Sequence, residues 1–114
     1  MYVDGPFTVV AGEDIPEANL RAKFNASFEG VLSGAADAAL DIGTFRNKAS
    51  AGEEVTIIPK NKEGTHEFVA SGAITGTTLG AAAGGKVATG NDVAHLRRSP
   101  AGTADGAIIE GMYL

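Results

Sequence analysis

A chain of 114 residues and 11.5 kDa has room for one domain. With aromatic residues at 6%, no Trp and 16 Gly, its core positions each remove little apolar surface from water. The net charge of −5 and pI near 4.9 argue against a nucleic-acid surface, which needs clustered Lys and Arg, and the absence of Cys excludes disulfide frameworks and thiolate metal sites.

Met1 to Pro6 has no periodicity and ends in Asp-Gly-Pro, so it reads as an arm that is either free or held by a partner. The segment MYVDGPFTVVAGEDIPE lacks a basic stretch followed by an apolar one, and no apolar run reaches the ~20 residues that cross a bilayer, so synthesis in the cytosol and no membrane partner are expected. A first strand is predicted over Phe7 to Val10, closed by Gly12.

From Asp14 to Phe28 two patterns compete. Asp14 and Pro16 suit a helix start, and Leu20 and Phe24 sit one helical turn apart. Yet Leu20, Ala22 and Phe24 alternate strictly with Arg21 and Lys23, and this alternation favours a half-buried strand. A further strand is predicted over Phe28 to Leu32. Ala35 to Leu40 has helix-forming composition but is too short to exceed one or two turns. Asp41 to Ile58 then reads as a strand, a small-residue turn at Ala49-Ser50-Ala51-Gly52, and a second strand with Val55 and Ile57 on one face and Thr56 and Ile58 on the other.

Pro59 to Thr65 is polar and forms a joint. Beyond it, strands are predicted at His66 to Ser71, around Leu79 and around Val87, followed by a hairpin built from Asp92 to Arg98 and Ala107 to Leu114. This second hairpin echoes the first. Asp41-Ile42-Gly43 answers Asp92-Val93-Ala94, Phe45-Arg46 answers Leu96-Arg97, Ala51-Gly52 answers Ala101-Gly102, and Ile57-Ile58 answers Ile108-Ile109. Upstream, Phe7 to Gly12 resembles Glu67 to Gly72, with Ile15 and Ile74 following. The expectation is an all-β fold, a small β-sandwich or β-barrel of short strands, in which an arm (1–6) precedes a single β-rich domain (7–114) with two related halves near 7–60 and 66–114 and at most one short helix.

No constellation asks for catalysis, and no cofactor is expected. Gly80 to Lys86 satisfies GxxxxGK, but Val87 stands where a P-loop needs Ser or Thr, and Gly90 would end the required helix; a glycine-rich hairpin loop is expected instead. His66 and His95 belong to no spaced ligand motif and read as exposed strand histidines. The acidic residues lack calcium-loop spacing, no GxSxG occurs, and Asn25-Ala26-Ser27 is a formal sequon with no secretory signal to give it meaning. His95-Leu96-Arg97-Arg98 is the one tight basic group, and a solvated strand face is its simplest reading.

The run FVASGAITGTTLGAAAGGKVATGN with its closing GAIIE strand, and DIGTFRNKASAGEEVTII in the first half, resemble the bacteriophage capsid decoration (head cement or stabilisation) proteins. HLRRSPAG departs from the small apolar residues usual there. The resemblance implies a homotrimer on the exterior of an icosahedral virion that binds the major capsid protein and bridges neighbouring capsomers. On that reading Tyr2, Val3 and Phe7 are the capsid-binding candidates, large apolar groups in a segment with no counterpart in the repeat. An alternative is a small β-sandwich module for carbohydrate or a cell surface. Sugar platforms usually use exposed Trp or Tyr, and the chain has no Trp and only Tyr2 and Tyr113.

Overall fold

The computed structural model describes residues 5–61, 64–96 and 104–114. Among the described residues, alternating apolar residues in short runs, each ended by Gly, Pro, Asn or Ser, fold into ten strands and leave helix only as two single 3₁₀ turns, Ala38–Leu40 and Ala83–Gly85. The all-β expectation holds. The first five strands are β1 (Phe7–Val10), β2 (Arg21–Phe24), β3 (Gly30–Leu32), β4 (Gly43–Phe45) and β5 (Glu54–Pro59). They form one antiparallel sheet in the order β1-β5-β4-β2-β3. The next five are β6 (His66–Val69), β7 (Thr78–Ala81), β8 (Val87–Thr89), β9 (Ala94–Leu96) and β10 (Ile108–Tyr113), in the order β6-β10-β9-β7-β8. That is the same plan again, strand for strand.

Register repeats as well as order. Phe7 faces Ile57 as His66 faces Gly111; Gly43 faces Pro59 as Ala94 faces Tyr113; Ala22 faces Gly43 as Leu79 faces Ala94; and Ala22 faces Leu32 as Leu79 faces Thr89. In each unit the two outer strands are drawn together by one parallel bridge, Ala11 with Gly30 and Ala70 with Val87, which curls the sheet into a barrel-like shell. The bonds Gly12 N to Gly30 O and Ser71 N to Val87 O, both 2.9 Å, recur at that seam. These ladders correct three details of the side-by-side sequence match. Phe7 corresponds to His66 rather than Glu67, Ile57 to Gly111 rather than Ile108, and Val55 to Ile109.

Each unit has its own core. Ala11, Ile15, Leu20, Ala22, Phe45, Val55 and Ile57 fill the first, and Phe68, Ala70, Ile74, Leu79, Val87, Val93, Ala94 and Ile109 fill the second. Val69, from β6, is fully buried and belongs to the first unit's core, so the second unit leans on the first. The two side by side give an elongated body of 37 × 27 × 21 Å. Two expectations shift in detail: Phe28 lies in a turn outside β3, and His66 is buried at 3% exposure where an exposed strand residue was expected. Part of the Pro59–Thr65 joint, and the Arg97–Gly102 stretch of the second hairpin, lie outside the described residues.

The turn before β5 depends on Gly52, whose φ is +88°, and its counterpart before β10 is Gly106, also at +88°. Gly52 N bonds Ala11 O and Gly106 N bonds Ala70 O, both at 2.8 Å, so the correspondence is structural. A Cβ at either position meets nothing within 4 Å, and the cost of substitution is therefore backbone strain alone. Gly52→Val and Gly106→Val are each expected to lose about 1–3 kcal/mol in thermal unfolding. Gly72→Val, at an equally open position without positive φ, should melt close to the wild type.

Candidate functional site

The two units are joined through a charged side chain. Arg21 stands on the face of β2 that turns away from its own core, yet its exposure is 0% because the second unit covers it. Every N–H of the guanidinium fork has an acceptor. Nη1 donates to Asp41 Oδ1 at 2.9 Å and approaches Ser33 Oγ at 3.4 Å, and Nη2 donates to Ser33 O, Gly34 O and Ala82 O at 2.8, 3.1 and 3.0 Å. Nε donates to Lys86 O at 3.0 Å. The Ser33 hydroxyl donates to Asp41, and the Tyr113 hydroxyl from β10 lies 3.1 Å from Gly43 O and 3.3 Å from Asp41 Oδ2. Beside this network Thr44 Oγ1 meets His66 Nδ1 at 3.2 Å, and the His66 ring packs edge-on to Tyr113 at 4.9 Å.

Burial pushes the Asp41 carboxyl above the ordinary carboxylate range, against the opposing pull of the Ser33 hydrogen bond and the Arg21 charge. Burial also pushes the Tyr113 phenol far up, with the Asp41 charge adding to it.

The GxxxxGK loop is part of this joint. It connects β7 to β8 through the Ala83–Gly85 turn, and it presents carbonyl oxygens of Ala82 and Lys86 to a buried cation. A phosphate cradle needs the opposite polarity, convergent N–H groups. The Lys86 ammonium points elsewhere and pairs with Asp105 at 3.0 Å.

Away from the joint, the first unit carries an apolar surface. Phe7 is half-buried at the start of β1, with its ring centroid 6.4 Å from Phe24, which in turn is 6.2 Å from Phe28. Phe24 is 37% exposed and Phe28 78%. Phe28 also has φ of +59°, a conformation that costs a bulky L-residue energy. The loop that imposes it is tightly bonded. Asn25 Oδ1 accepts from Ser27 N at 3.0 Å and from Glu29 N at 2.9 Å, while Phe28 N donates to Asn25 O at 3.0 Å and Asn25 Nδ2 to Glu29 Oε1 at 2.9 Å. Asn25 thus acts as the side chain that closes the turn.

Of the anchors expected from sequence, Phe7 is on this surface, and Tyr2 and Val3 lie outside the described residues, as do Arg97 and Arg98. Phe24 and Phe28 were missed. The readable signal was Asn25 four residues before Glu29, an Asx-turn pattern that places the intervening Phe at a tip. His95 is exposed on β9, far from His66 in environment if not in ladder position. A polar groove of about 430 Å³ lies between Asp14, Lys48 and Glu53, but its carboxylates already serve the chain: Asp14 Oδ1 accepts from Ala51 N at 2.9 Å and Glu53 Oε1 from Ser50 N at 2.7 Å. Among the described residues, no three His, Asp or Glu side chains are grouped to hold a metal, and no helix is long and apolar enough to cross a membrane.

No protein-family model matches the chain, and no curated protein matches it in sequence.

Removing one member of the buried pair should be severe. Arg21→Met is expected to cost about 3–5 kcal/mol in urea unfolding, because it strands Asp41 without its cation. Arg21→Lys should recover little, since a compact ammonium cannot reach acceptors spread over both units. The Tyr113 phenol sets an alkaline limit. Its stabilising state is intact below the ordinary tyrosine value of about 10 and is lost as pH rises past it, because the unfolded chain ionises there and the folded chain resists. In a Tyr2→Phe protein the remaining phenolate absorbance should rise only together with unfolding.

Proposed function

We propose that this protein is a structural component of a bacteriophage virion, bound to the exterior of an icosahedral head as a homotrimer. In this reading it contacts the major capsid protein through Met1 to Phe7, with Tyr2, Val3 and Phe7 as apolar anchors, and stabilises the shell by bridging neighbouring capsomers. The likeness of Asp41 to Ile58 and of Phe68 to Asn91 to the decoration proteins supports it. So does one structural observation. Three of the chain's five Phe residues, Phe7, Phe24 and Phe28, are gathered where the arm enters β1, with Phe24 and Phe28 exposed and Phe7 half-buried against the first core. A small protein with few aromatics that places two adjacent Phe side chains at its surface presents an apolar patch suited to a macromolecular partner.

Trimerisation gives a short arm enough strength. A single contact with Kd near ~0.1 mM is worth about −5.5 kcal/mol, too little to hold at low concentration. Three linked arms gain roughly a hundred- to ten-thousand-fold in avidity without any new contact. A protein that binds only the assembled shell then shifts the assembly equilibrium toward it.

Deleting residues 1–6 leaves β1 whole, so the truncated protein should keep its melting temperature. It should no longer co-sediment with heads assembled in the absence of this protein. Saturation of those heads with wild-type affinity would remove the arm as the docking element.

A further inference from the structure

Among the described residues, a positive φ is found at Asn19, at Phe28 and at seven Gly. Gly and Asn take this conformation at little cost, and a Phe does not. The repeat shows that the turn itself asks for no aromatic. By the ladder registers Phe28 corresponds to Gly85, whose φ is +80°, as Asn19 corresponds to Gly76 at +87°. The two loops have the same length and are closed by the same bond, Asn25 N to Glu29 O in one and Ala82 N to Lys86 O in the other, both 3.0 Å. Gly would therefore serve the fold at position 28, and Phe28 stands there against the preference of its backbone.

Its side chain does little for the folded domain. At 78% exposure Phe28 is the most exposed large apolar residue described, and its ring meets Phe24 edge-on at 6.2 Å, outside either core. Yet the turn that carries it is braced from within. Asn25 Oδ1 holds the N–H groups of Ser27 and Glu29, and Asn25 Nδ2 holds Glu29 Oε1. Gly12 backs this loop so closely that a Cβ there would stand 2.7 Å from Asn25 Nδ2 and 3.1 Å from Glu29 Cβ. A large apolar side chain whose backbone is fixed in advance loses little freedom on binding, which is the character of an interface anchor. Local strain of this kind gathers at functional sites. From Phe28 the ring contacts run through Phe24 to Phe7, where the arm joins the domain.

We infer that Phe28 is a preset anchor that inserts into an apolar pocket on the same partner that takes the arm. This rests on the docking role proposed above, in which that partner is the major capsid protein. It adds a second point of contact, set on the folded domain, to the one made by Met1 to Phe7. The matching site on the partner is concave and apolar, has room for one aromatic ring, and lies beside the place where the arm is held. Two points fix the orientation of the domain on its partner, which one short segment does not.

The test compares full-length wild type with Phe28→Gly, Phe28→Asn and Phe28→Leu, in thermal unfolding and in co-sedimentation with heads assembled in the absence of this protein. The Gly and Asn variants accept positive φ more readily, so both should melt at or above the wild-type temperature. Both should bind heads about thirtyfold more weakly, the loss that removal of an anchor brings. Phe28→Leu keeps apolar bulk at the tip and should bind between these variants and the wild type. Gly and Asn variants that both melt well below the wild type would make Phe28 a part of the fold, and wild-type head affinity in both would leave its side chain without a partner; either result overturns the inference. If wild-type protein itself fails to bind heads, the docking role falls and this inference with it. If wild type binds, deletion of residues 1–6 weakens binding and Phe28→Gly does not, this inference alone falls.

Discussion

Everything in this fold is arranged around a guanidinium with no access to water. Burying an Arg is costly unless its charge is paired and each of its donors satisfied, and here the pairing is supplied by Asp41 while the acceptors come from both units. Ser33 and Gly34 contribute from the first unit, Ala82 and Lys86 from the second. Neither unit can move away without leaving N–H groups unmet, so the requirement fixes the angle between the shells more firmly than apolar contact would. Tyr113 closes the far side of the carboxylate, and the His66 ring packs against the phenol.

Much of the local structure was legible in the sequence because it is written locally. The alternation in Arg21–Phe24, the Val55 and Ile57 face of β5, and the glycine that reverses the chain at Gly52 are all short-range patterns, and the strands follow them. The candidate site was legible only in part. Arg21 reads as the polar side of a half-buried strand, and that reading is correct for an isolated sheet. It becomes buried because a segment more than sixty residues later covers it, at a sequence separation of 65 for the Lys86 contact. His66 was misjudged for the same reason. Phe28 was hidden differently: as one aromatic after a polar run it suits a strand start, and only the hydrogen bonds of Asn25 turn it outward.

The repeat was visible first in its hairpins, but letter matching placed the later strand of each pair out of step, pairing Ile57 with Ile108 where the ladders pair it with Gly111. Ala, Gly and Ile are frequent enough here for several alignments to look alike. Hydrogen-bond register distinguishes them because a one-residue slip would turn every core side chain outward. The same register shows how two copies of one plan diverged: where unit meets unit, Gly85 allows backbone to approach backbone, and where the surface is open the equivalent position is Phe28.

The Arg21 joint also governs the order in which the molecule can be completed during synthesis. The first unit leaves the ribosome with its guanidinium and Asp41 in place, but the carbonyls of Ala82 and Lys86 have not yet been made, and Tyr113 follows later still, at a separation of 72 from Asp41. Until then the face around Arg21 remains wet and the first shell lacks its lid. Domains usually fold as units while the chain emerges, the earlier one first. Here the earlier unit waits for the later one to cover the Arg21 face and to complete its core with Val69.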